Sequence, residues 1–300
     1  MTTSDRADRG VLRATMVGAS ALAMWSALAL FATGARGIPS FQLVTLCFSI
    51  AFLLALGRWL VRGESVISHL RLPRRAWLIG IGGLFGYHLL YFFALRMAPP
   101  VHVNLLNYLW PLFVVMLSAL LPGERLRWWH VAGSVLGLIG AAILVRGDGS
   151  ASIEAGQAWG YGMAFAGALT WGLYSLASRR YLSHVPTDAV GGFCLGTAVL
   201  ALVCHLAVET WVWPTPGEWI AILALGLGPA GGAFFAWDYA VKRGDIRSLG
   251  GLSYGVPLLS TVLLVIFGFA EPSVSIAVAC ILIAGGAVLA SRDLWRRRAA

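Results

Sequence analysis

Ten apolar windows of roughly 20 residues follow one another along this chain, near 12–35, 40–61, 76–97, 100–122, 128–146, 156–178, 187–208, 218–241, 246–269 and 273–291. A helix of that length matches the hydrocarbon thickness of a bilayer. Short loops part the windows, and no soluble domain fits between them. The chain is 59% hydrophobic and 12% charged, whereas soluble domains are about a quarter charged. The expected fold class is an all-α integral membrane protein with ten transmembrane helices. The RADRGVLR segment before the first window has the look of a signal peptide's charged start. The apolar part behind it runs past the length of a signal core, so it is read as the first span.

The formal net charge is +9, a balance that in a soluble chain would suggest nucleic acid. Here the basic residues sit in the loops. With a cytoplasmic N-terminus, 19 of the 22 Lys and Arg residues fall on the cytoplasmic side. Only Arg36, Arg96 and Arg146 fall on the other. The positive-inside rule explains such a split, and nucleic acid is not an expected partner. The lipid bilayer is one. Both termini are then cytoplasmic. Cys47, Cys194, Cys204 and Cys280 all lie in apolar windows without metal-ligand spacing, so they read as small packing residues. No phosphate-cradling glycine loop is present, and neither a cofactor nor a metal is expected.

Sliding the sequence by 146 residues brings the chain onto itself. Gly80, Gly82, Gly86, Ala94, Leu106, Tyr108, Pro111 and Leu112 meet Gly226, Gly228, Gly232, Ala240, Leu252, Tyr254, Pro257 and Leu258. Trp25 meets Trp171, and Arg96 meets Lys242. The chain divides into residues 1–150 and 151–300, with five spans each. Five is odd, so the second half enters the membrane inverted. Two inverted-topology five-helix repeats around a central cavity are a signature of secondary transporters, whose substrate sites lie near the midplane. Pro111 and Pro257 interrupt matching spans and free carbonyls four residues back, at Asn107 and Ser253. They are the expected hinges.

Polar and aromatic residues near the midplane name the cavity walls. Tyr87, His88 and Tyr91 share the third span. Asn104, Asn107, Tyr108 and Pro111 share one helical face of the fourth. Trp171 heads a face with Tyr174, Ser175 and Ser178 on the sixth. Trp110 and Trp171 lie too deep to be interface anchors. His88 reads as a core histidine bonded to a tyrosine or carbonyl, or as a substrate contact or proton carrier. Asp238 and Lys242 read as an i, i+4 pair with the lysine reaching outward. No Lys or Arg sits at the midplane, which argues against phosphate or sugar-nucleotide substrates. Rings and amides suit a neutral or zwitterionic solute with an apolar part, through stacking and cation–π attraction.

The ten spans, the repeat and the short loops resemble the EamA-like branch of the drug/metabolite transporter superfamily, over nearly the whole chain. The segments GYHLLYFFAL and NLLNYLWPL, with Trp171, are similar to its YddG-type aromatic amino acid exporters. That resemblance implies export of phenylalanine, tryptophan and tyrosine from a bacterial cytoplasm across the inner membrane by alternating access. It implies a cavity lined by Tyr87, His88, Tyr91, Tyr108, Trp110 and Trp171. The expected substrate-binding set adds Asn104, Asn107 and Tyr254. A multidrug or metabolite exporter of apolar cations with the same fold is the alternative. An enzyme would need an acid/base pair, nucleophile or metal set, and His88 has no carboxylate on a neighbouring turn.

Overall fold

The structure, a computed structural model, describes residues 3–123, 125–146, 157–268, 274–290 and 292. Among these residues every regular element is helical. The first half holds α1 (Thr3–Ser26), α2 (Leu28–Thr33), α3 (Ser40–Val61), α4 (Val66–Leu70), α5 (Arg74–Met97), α6 (Pro100–Asn107), α7 (Trp110–Leu117) and α8 (Trp128–Arg146). The second holds α9 (Ala158–Tyr181), α10 (Val190–Val208), α11 (Pro216–Leu227), α12 (Ala233–Arg243), α13 (Ile246–Leu252), α14 (Gly255–Ile266) and α15 (Val274–Ala290). Among the described residues, five stretches are long and apolar enough to cross a membrane: Arg9–Thr33, Ser40–Val61, Arg74–Met97, Thr187–Val208 and Pro216–Arg243. Large apolar side chains such as Leu53, Leu60, Leu78, Leu206 and Ile220 stand on the outside, where lipid rather than water suits them.

Helix starts follow ordinary chemistry. Proline needs no N–H partner, and it opens α6, α7 and α11 in the first or second position. Thr215 and Glu218 form a reciprocal capping box on α11. Asp245 caps α13 by accepting from the Arg247 and Ser248 amides.

Among the described residues, four of the apolar windows are broken. Ala27 parts α1 from α2, just after Ser26 bonds back to the Leu22 carbonyl at 2.9 Å, a contact that bends helices. Tyr108 and Leu109 part α6 from α7, and Ser253 and Tyr254 part α13 from α14. These two breaks lie at matching repeat positions, each just ahead of its buried proline. The expected free carbonyl at Ser253 is not free, because the break lets Val256 N–H donate to it at 3.1 Å. Between α11 and α12 the chain makes a π-turn, Gly228–Gly232. Glycine is needed there: a Cβ on Gly231 would run into the Gly226 carbonyl.

Pairing follows the repeat. α3 packs on α10 and α8 on α15, each an element with its own counterpart. α1 packs on α12 and α9 on α5, two pairings that interchange when the halves are exchanged. The α8/α15 contact is close backbone packing through small residues. A Cβ on Gly133 would stand 2.5 Å from the Gly286 carbonyl, and one on Gly286 the same distance from that of Gly133. Cys47 and Cys194 are buried and free, and Cys204 is half-buried and free. The side chain of Cys280 lies outside the described set.

Candidate functional site

All four helix breaks border one cavity of about 160 Å³. Leu28 comes from the α1/α2 break, and Asn107, Tyr108 and Trp110 from the α6/α7 break. Pro229, Ala230 and Phe234 come from the π-turn and the start of α12, and Val256 follows the α13/α14 break. Trp25, Tyr87, His88 and Trp171 complete the lining.

The walls are aromatic. Trp25 and Trp171, counterparts in the repeat, meet edge to face with centroids 5.6 Å apart. Trp110 lies 6.2 Å from Trp25 and 6.3 Å from Trp171, edge-on to both. Tyr87 leans on Trp171 at 5.5 Å. Trp237 is fully buried against the cage, 5.3 Å from Trp25, and its indole N–H donates to Ser175 Oγ at 3.1 Å. Such edge-to-face contacts hold rings at fixed angles.

Few polar atoms enter. Trp25 Nε1–H donates to the Pro229 carbonyl at 2.9 Å, tying α1 to the π-turn. Asn107 Nδ2 donates to the Tyr87 hydroxyl at 3.1 Å, while Asn107 Oδ1 is buried without a partner. His88 Nδ1–H donates to the Leu84 carbonyl at 2.7 Å, and its ring meets Phe48 edge-on at 5.1 Å. The histidine is therefore both anchored to backbone and part of the lining.

The structure brings Tyr87, His88, Asn107, Tyr108, Trp110 and Trp171 of the expected set to the cavity. Tyr91 and Asn104 stand one row behind. The Tyr91 ring stacks on Tyr87 at 5.9 Å, and its hydroxyl donates to Asn104 Oδ1 at 2.6 Å. Tyr254 is elsewhere: its ring is fully buried, packed over Gly137 and clustered with Ile283. Pro111 is buried behind the lining. Trp25, Leu28, Pro229, Ala230, Phe234 and Val256 join the lining beyond the expected set. The repeat pointed to Trp25 through Trp171, and Pro229 stands out in the string GLGPAGG. The others are apolar residues in apolar helices and carry no contrast.

Two further sequence features resolve here. Lys242 does not reach outward: both members of its pair with Asp238 are buried, because the Val185 carbonyl accepts from Nζ at 3.1 Å inside the protein. The string Gly251-Leu252-Ser253-Tyr254-Gly255 does carry the G-x-S-x-G spacing of a nucleophile elbow. Its context is wrong for one: no strand precedes it among the described residues, and Ser253 Oγ donates to Leu249 O at 2.6 Å within its helix. Away from the cavity, Glu64, His69 and Asp188 come together. His69 is already bonded to Glu64 at 2.8 Å, and Asp188 to Arg58 at 3.0 Å.

Tandem sets of apolar helices around a central, aromatic-walled cavity define a multi-pass membrane transporter. The chain belongs to the EamA-like transporter family, which matches it twice, over residues 12–146 and 158–292, an offset of 146. That membership makes it a transporter and not an enzyme. It is 49% identical to the aromatic amino acid exporter YddG of Ancylobacter novellus, over 93% of this chain and 96% of that protein. It is 23% identical to the YddG exporter of Escherichia coli K12, over 92% and 96%. It is 28% identical to a probable terminal-alkyne amino-acid exporter of Streptantibioticus cattleyicolor, over 74% and 75%. A solved crystal structure with 48% identity superimposes with a TM-score of 0.90, over 95% of this chain and 98% of that one.

Proposed function

We propose that this protein exports aromatic amino acids across a bacterial cytoplasmic membrane, by alternating access of the cavity walled by Trp25, Trp110 and Trp171. The aromatic cage carries the reading. Its rings stack with an aromatic side chain, and cation–π attraction favours the ammonium group. The unpaired Asn107 Oδ1 adds an acceptor for that ammonium. Tyr91 and Asn104 hold Tyr87 and α6 in register from behind. The relatives named as amino acid exporters support the same substrate class.

In this proposal the ten apolar windows are ten spans, with residues 1–150 and 151–300 as inverted five-span repeats and both termini cytoplasmic. The interchanged partners of α1/α12 and α5/α9 support that arrangement. Pro111 and Pro257, beside their matched breaks, are the flexible points about which the halves rock.

The test is efflux of labelled phenylalanine from liposomes holding the purified protein, against empty liposomes. Saturable efflux that unlabelled tryptophan reduces is the expected result. Folded protein without efflux, or efflux that apolar cations reduce and tryptophan does not, overturns the proposal.

A further inference from the structure

Beneath the cage lies a polar site that binding of an aromatic side chain leaves unused. Asp238 follows Trp237 on α12, one turn beyond Phe234. Lys242 Nζ donates to Asp238 Oδ2 at 2.8 Å, and both side chains are fully buried. The hydroxyls of Thr187 and Tyr174 neighbour Asp238, and Ser178 neighbours Tyr174. Thr187 stands within bonding reach of Asp238, and Ser178 of Tyr174, but neither pair has the alignment of an ordinary hydrogen bond. Stability explains such a site poorly. Two charges have been taken out of water, and well-packed apolar residues often hold a fold as well as a buried pair does. Buried polar atoms held only by poorly aligned contacts are themselves uncommon.

The site's place is informative. α9 and α12 both run from the cavity to the arginine-rich end of the bundle, where Arg179, Arg180 and Arg243 lie in their last turns. That end is tied shut. Lys242 bonds to Val185 O, and Arg179 donates to the carbonyls of Val241 at 3.0 Å and Gly244 at 2.7 Å. The pair therefore stands between the cavity and the end that must open for substrate to enter from the cytoplasm.

We infer that Asp238 and Lys242 form a zwitterion-exchange site. When the arginine-rich end opens the pair parts, Asp238 takes the α-ammonium of an incoming amino acid and Lys242 takes its α-carboxylate. Parting the pair strands two buried charges unless both partners are replaced together. A free α-amino acid brings one charge of each sign and replaces both. An amine or a carboxylic acid replaces one and strands the other. The pair thus reads both charges of the substrate's backbone together on the way in, before the aromatic cage takes its side chain and ammonium. This inference rests on the amino acid reading above.

The test uses the double variant Asp238→Leu/Lys242→Met, which puts apolar residues of similar size in place of both charges. Labelled phenylalanine is offered to inside-out and right-side-out membrane vesicles, with phenethylamine as competitor. The half-saturating concentration is expected to rise at least tenfold at the arginine-rich face, exposed in inside-out vesicles, and to stay within twofold at the other. Phenethylamine then competes better at the arginine-rich face than it does with wild type. No rise, or an equal rise at both faces, overturns the inference. If the double variant does not fold, Asp238→Asn, which keeps the shape of the side chain and removes the charge that would take the ammonium, is read by the same criterion of a rise confined to that face. Wild-type vesicles that move no phenylalanine overturn the amino acid reading instead.

Discussion

Trp171 touches Trp25, Trp110, Tyr87, Tyr174, Phe234 and Trp237. Removing its ring should open the cage on several sides at once. Trp171→Ala and Trp25→Ala are each expected to lower phenylalanine transport at least tenfold, a loss of about 1.4 kcal/mol in binding or passage. Tyr91→Phe keeps the stack on Tyr87 and loses only the bond to Asn104, so a two- to threefold loss is expected. Initial rates of efflux from liposomes, corrected for the amount of folded protein, check both. At this scale the sequence was informative where residues contrast with their surroundings. Tyr87, His88, Asn107, Tyr108, Trp110 and Trp171 are polar or bulky in helices that lipid would leave plain. Phe234, Val256 and Leu28 line the same space yet have the composition of any span. Tyr254 has the right chemistry and the right repeat position, but its ring fills the gap that Gly137 leaves on α8.

Among the elements, the two proline-marked breaks were readable, because proline lacks the N–H that a continuous helix needs. The break at Ala27 was not, since neither proline nor glycine stands in the string Met24-Trp25-Ser26-Ala27-Leu28. The π-turn was hidden for another reason: its fingerprint, glycines around a proline, also marks an ordinary kink. Gly231 gives a direct test. Gly231→Ala places a methyl against the Gly226 carbonyl and should cost on the order of 1–3 kcal/mol, as overpacking does. Gly82, where a Cβ meets open space, is the control. Gly82→Ala should be neutral or slightly stabilising, because alanine suits helix interiors better than glycine by up to about 1 kcal/mol. Thermal unfolding of the two variants in detergent compares them.

For the whole molecule, the family matches at residues 12–146 and 158–292 agree with the repeat's spacing, and the sides that the charge count proposes for the loops call for a direct test. Single cysteines introduced at Arg36 and Trp213 are expected to react with a membrane-impermeant thiol reagent added outside intact cells. Cysteines at Gly63 and His184 are expected to react only after the membrane is permeabilised. The reverse pattern would turn the molecule over in the membrane. What the repeat could not foretell is how far the halves depart from each other. Pro229 of the π-turn corresponds to Gly83, and α5 runs unbroken through it. Ala27 corresponds to Leu173, and α9 runs unbroken through that.

In the proposed alternating-access cycle, these departures mean that the form open to one side is not a copy of the form open to the other. In a symmetric molecule, the form open to one side and the form open to the other would have equal energy at rest. Here α1 and α11/α12 bend where their counterparts stay straight, so on that proposal the two forms are expected to differ in resting population. Such a bias sets how quickly each face is presented to solute, and so which side of the membrane is sampled first. It leaves the final distribution untouched: the concentration on each side, or a coupled gradient, decides that.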